Sequence, residues 1–106
     1  MQIRFIGLRD LTQEEANLIS VLIEEYKLKL QREISDFTLN VAIKKRTKTG
    51  SKIKYSIHTK LEAPATILVS QAFDWDLART THKAMKKLEN ELQHKFKTKG
   101  HLPKPK

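Results

Sequence analysis

The side chains in this chain that could do chemistry are cations, and they come in two groups. Lys44, Lys45, Arg46 and Lys48 lead into Lys52 and Lys54, and from Lys44 to Lys60 there are seven basic residues and no acid. Arg79, Lys83, Lys86, Lys87 and Lys97 fall in a second segment, Arg79 to Lys106, with nine basic residues and two acids. Clustered ammonium and guanidinium groups are suited to phosphate oxygens. A helix face kept only for solvation mixes its signs, because Glu–Lys pairs at four-residue spacing stabilise a helix. The face from Arg79 to Lys97 has no acid at its centre. Its like charges repel one another, and an anionic partner explains them more simply. Residues 1 to 43 carry five basic and seven acidic side chains, whereas residues 44 to 106 carry sixteen and five, within a total charge of +9. This asymmetry points to a polyanion held by one side of the molecule, above all a nucleic acid. An acidic membrane surface fits less well, since no basic amphipathic helix carries a Trp- or Phe-rich insertion face.

Catalytic constellations are missing. The three glycines stand apart at 7, 50 and 100, so no glycine-rich loop cradles a phosphate. There is no cysteine, which excludes disulfides, thiolate zinc sites and thiol nucleophiles. His58, His82, His94 and His101 lie on different elements without metal-ligand spacing. Asp74 and Asp76 could be taken for an acid–base pair, but Asp76 suits a helix N-cap and Asp74 the positive end of the same helix. No enzyme activity, cofactor, metal or small-molecule substrate is expected. The third strand offers no exposed Phe or Tyr pair for stacking single-stranded bases, and Phe73 and Trp75 are the remaining candidates. Recognition of structured RNA by phosphate and shape is therefore expected over base-by-base readout.

The elements that must position these residues follow from periodicity. Ile3 and Phe5 alternate with polar neighbours in a short first strand that stops at Gly7. Thr12 and Glu15 form a capping box. Behind it Ala16, Ile19, Leu22, Ile23, Tyr26 and Leu30 share one helix face to about Glu33, with Val21 and Leu28 on the other side. Leu39, Val41 and Ile43 mark a second strand. Thr47 to Ser51 has hairpin composition. Ile53, Tyr55 and Ile57 mark a third strand, Ala63-Pro64 the next turn, and Thr66 to Phe73 a fourth strand. The last helix starts near Asp76 and runs to about Phe96, burying Leu77, Thr81, Ala84, Met85, Leu88, Leu92 and Phe96. The order β-α-β-β-β-α predicts one α+β domain over residues 1–98. Its two helices pack on one face of a four-stranded sheet, and the other face stays open and bears Lys52, Lys54 and His58. Residues 99–106 are expected to be a basic, disordered tail. Apolar stretches fall short of the roughly 20 residues a membrane span needs and the start lacks a signal-peptide pattern, so a soluble cytoplasmic protein is expected.

Three segments together resemble the ribosome hibernation-promoting factors. Met1 to Gly7 resembles that family's opening strand and glycine, and Lys52 to His58 its third strand. Asp76-Leu77-Ala78, followed by Ala84 to Glu89 and Leu92, resembles its C-terminal helix. The resemblance covers residues 1 to about 97 and implies a fold related to double-stranded-RNA-binding domains. It further implies docking on small-subunit rRNA, across the mRNA and tRNA sites, to silence translation under stress. Lys52, Lys83, Lys86 and Lys87 fall where the family places basic residues, while the cluster Lys44 to Lys48 fits by character. Longer members add a dimerising domain, so this chain resembles a short form. The resemblance also places Leu68, Ser70 and Ala72 inward, leaving Ile67, Val69 and Phe73 on the open face for a protein contact. Trp75 and Arg79 to His82 depart from the family pattern. Two other readings remain open: a structured-RNA module acting off the ribosome, and a protein–protein module using the open sheet face.

Overall fold

The structure is a computed structural model that describes residues 2–47, 50 and 52–99, with side chains as far as Lys95. The elements are β1 (Gln2–Ile6), a 3-10 turn (Leu8–Asp10), α1 (Gln13–Gln31), β2 (Thr38–Thr47), β3 (Ile53–Ala63), β4 (Thr66–Asp74) and α2 (Leu77–Lys99). The expected order therefore holds. The sheet order is β1-β2-β3-β4, with β1 parallel to β2 and the remaining pairs antiparallel. A parallel first pair needs a crossover, and α1 is that crossover.

The capping box is complete: the Thr12 hydroxyl accepts from the Glu15 amide, and the Glu15 carboxylate accepts from the Thr12 amide. Gly7 ends β1 in the left-handed region at φ +93°, where a Cβ would overlap the Ile43 carbonyl oxygen of β2. Pro64 and Ala65 form the β3–β4 turn, with Ala65 at φ +62°. Three boundaries move from expectation. β3 continues past His58 to Ala63, because Thr59 and Leu61 keep its alternation and are buried. α2 continues past Phe96 to Lys99, whereas α1 stops at Gln31, short of Glu33. Of the expected tail only Lys99 is described, as the last residue of α2; residues 100–106 lie outside the described residues.

One sheet face carries Leu39, Val41, Ile43, Ile57, Leu61, Leu68 and Ala72. Against it pack Ile19, Ile23, Tyr26 and Leu30 of α1 and Leu77, Ala84, Met85, Leu88 and Leu92 of α2. Side chains alternate along a strand, so this burial puts the even positions of β2 and β3 and the odd positions of β4 on the open face. There Ile67, Val69 and Phe73 are 61%, 63% and 50% exposed. Leu68, Ser70 and Ala72 point inward, as the resemblance implies. Ser70 locks α2 to the sheet. Its hydroxyl donates to the Ala84 carbonyl at 2.8 Å, so the Thr59 hydroxyl donates to Ser70 at 2.6 Å.

Candidate nucleic-acid interface

Alternation splits the first cationic cluster. Lys44 and Arg46 lie on the open face, where Lys44 is in register with Ser56 and Phe73, and Arg46 with Lys54. Lys45 points the other way, toward α1, and its ammonium donates to the Glu15 carboxylate at 2.8 Å. The Tyr55 hydroxyl donates to the second oxygen of the same carboxylate. Burial opposes the ionised form of Glu15, yet the bonds from Lys45, Tyr55 and the Thr12 amide outweigh it and hold the carboxyl at about 2. The same contact, added to burial, pushes the Tyr55 phenol up to about 12. Lys45 is thus a tie between β2 and α1, not part of the surface formed by its neighbours. Lys48 lies outside the described residues, and so does the side chain of Lys97.

The second group lines the flank of α2 beside the edge strand β4. Arg79 and Lys83 both reach Asp74, at 3.2 and 2.7 Å. Chiefly through the bond from Lys83, with the Trp75 amide and Arg79 adding to it against burial, Asp74 is lowered to about 2. One carboxylate thus sits between two cations whose side chains remain 63% and 50% exposed. Farther along, Lys87 donates to the Gln71 carbonyl on the open edge of β4 at 2.9 Å. That bond also protects an otherwise available strand edge. Lys86 is exposed on the outer face of the helix.

The start of α2 is satisfied internally. Asp76 caps it, accepting from the Arg79 amide at 2.8 Å. Thr80 and Thr81 are fully buried and donate back to the carbonyls of Asp76 and Leu77. His82 meets the Tyr26 hydroxyl of α1 at 2.8 Å. Of the departures at Thr80 to His82, Thr80 and Thr81 thus bond within the start of α2, and His82 joins it to α1. Among the described residues no group of three His, Asp or Glu could hold a metal, and no helix is long and apolar enough to cross a membrane.

The grouping that spacing alone does not show is aromatic. Lys54 lies 4.9 Å from the ring centre of Phe73 and 5.7 Å from that of Trp75, and Lys52 lies 5.8 Å from the latter. Phe73 and Trp75 are identifiable in sequence as stacking candidates. Their union with Lys52 and Lys54 depends on the β3–β4 register, in which Tyr55 faces Asp74.

Solved structures share this architecture. A ribosomal subunit interface protein from Coxiella burnetii is 22% identical over 93% of this chain and 100% of its own, with a TM-score of 0.62. The N-terminal domain of Protein Y from Thermus thermophilus is 16% identical over 88% of this chain and 93% of its own, with a TM-score of 0.56. No family model and no curated protein matches the sequence. At such identities the likeness defines the fold: a four-stranded mixed sheet with two helices on one face, as the sequence resemblance implies.

Proposed function

We propose that this protein binds the small ribosomal subunit through rRNA phosphates and inhibits translation by occupying the path of mRNA and tRNA. The observation that carries the proposal is the segregation of charge. Lys44, Arg46, Lys52, Lys54, Lys86 and Lys87 pair with no acid among the described residues, while Lys45 is consumed inside the fold. Unpaired cations on the hairpin end of the sheet and along α2 suit a folded polyanion that contacts both. The ribosome as partner is supported by the sequence resemblance to hibernation factors and by the shared fold with a protein named for the ribosomal subunit interface. Inhibition then needs no catalytic group, because the bound domain excludes its competitors by volume.

Co-sedimentation with purified small subunits at low and moderate salt tests this. Binding is expected to be lost when mRNA and tRNA already occupy the subunit, and lost when Lys83, Lys86 and Lys87 are all replaced by Glu. Absence of co-sedimentation at low salt would overturn the proposal. The exposed row Ile67, Val69 and Phe73 favours a second reading, a protein contact through the open face. Partner capture that survives the triple charge reversal would support it.

A further inference from the structure

We propose that the hairpin end of the open sheet face holds an unpaired RNA nucleotide, its base stacked on Phe73 and Trp75 and its phosphates held by Lys44, Arg46, Lys52 and Lys54. The inference rests on the RNA-binding part of the function proposed above and adds that the folded RNA presents at this corner an unpaired nucleotide with its base turned out.

Phe73 and Trp75 are 50% and 53% exposed, and each has a lysine ammonium within 6 Å of its ring centre. A shallow groove of about 250 Å³ joins Phe73 to Lys44, Arg46, Lys54, Ser56 and His58. A second, of about 380 Å³, joins Trp75 to Lys52 and Ile53. Among the described residues neither groove is lined by a carboxylate. The nearby Asp74 is turned to Arg79 and Lys83, which neutralise it. Exposed aromatic faces interleaved with cations form the surface on which single strands bind, since every base has a π-face and every link a phosphate.

Duplex RNA fits this corner poorly, because its bases already stack on one another and offer the rings nothing. An apolar protein partner also fits poorly, because covering the rings would strip water from four cations without giving them counter-charges. The far end of the same face is different in character. Lys60, across from Val69, is paired with Glu62 at 3.2 Å, Glu62 lies across from Ile67, and no Phe, Tyr or Trp ring lines the groove there among the described residues. Aromatic and cationic side chains therefore coincide at one end only.

Trp75 is the single tryptophan, so its fluorescence reports on the site. The probes are a hexameric single-stranded RNA of mixed sequence, an abasic strand of equal length and charge, and a blunt RNA duplex. The single strand is expected to quench Trp75 saturably. The Phe73→Ala variant, and separately the abasic strand, should weaken binding by about 5- to 150-fold. Trp75→Phe, followed with a labelled strand, should retain most of the affinity that Trp75→Ala loses, and circular dichroism melts keep folding in view. Equal binding of the intact and abasic strands, or equal quenching by the duplex, would overturn the inference. So would quenching that grows with protein concentration in the absence of RNA, the sign of a second copy on this face. The two proposals fail separately. Single-strand binding without subunit co-sedimentation removes the ribosome, whereas co-sedimentation without base-dependent quenching removes the stacking site.

Discussion

Lys44 and Lys45 are adjacent in the chain and point to opposite sides of the sheet, so replacing each with Gln should give two different defects. Six cations of the proposed interface pair with no acid among the described residues: Lys44, Arg46, Lys52, Lys54, Lys86 and Lys87. If each meets one phosphate, log affinity for rRNA falls with log salt at a slope of about −4 to −5. Lys44→Gln should make that slope shallower by about 0.7–0.9 and leave stability within about 0.5 kcal/mol of the parent. Lys45→Gln removes an ammonium whose side chain is 19% exposed from a carboxylate that is 20% exposed. Charge-assisted bonds are worth about 1.5–3 kcal/mol when fully buried; with part of this pair in water, a loss of about 1–2 kcal/mol is expected. At about 4–8 °C per kcal/mol for a domain near this size, the melting temperature should drop by roughly 5–15 °C, with the salt slope unchanged. Small-subunit binding at four salt concentrations and thermal melts of the same two proteins provide both readouts. Should Lys45→Gln flatten the slope while Lys44→Gln lowers the melting temperature, the assignment of Lys44 to the binding surface and Lys45 to the tie with α1 would be wrong.

Acid should weaken the fold through Glu15 and Asp74. Both carboxyls sit at about 2 in the folded protein, below their ordinary values of 4.5 and 3.8, so the unfolded chain takes up protons first. Their stabilisation is complete above about pH 5 and disappears as pH falls toward 2, and Glu15→Gln should flatten melting curves collected across that interval. Gly7→Ala should cost about 2–4 kcal/mol, combining a left-handed backbone with overlap on the Ile43 carbonyl. Gly50→Ala, at φ +71° with open space around it, should cost about 1 kcal/mol. Equal losses in denaturant melts would contradict the close approach of β1 to β2. Ser70→Ala leaves the Thr59 hydroxyl without its acceptor and should cost about 1–3 kcal/mol. Adding Thr59→Val should recover part of that loss, and a fully additive double mutant would argue against the coupling.

Much of the molecule is determined locally. The capping box at Thr12 and Glu15, the alternation of Leu39, Val41 and Ile43, and the helical spacing of Leu77, Ala84, Leu88 and Leu92 each depend on neighbours a few residues away. They set the element order, one apolar face per element and hence a sheet covered on one side. The concentration of positive charge in residues 44 to 106 is likewise a property of the chain alone. What a cation does there depends on what lies across space. Only the packing of α1 on β2 turns Lys45 into the partner of Glu15 while Lys44 stays on the surface. Only the closure of α2 on the end of β4 brings Arg79 and Lys83 to Asp74. The β3–β4 register, set by pairing from Tyr55 with Asp74 to Ala63 with Thr66, brings Lys54 to Phe73 and Trp75. Charge and periodicity are carried along one dimension, whereas pairing of charges and rings is a matter of distance. That distance is decided when the strands align and the helices close over them.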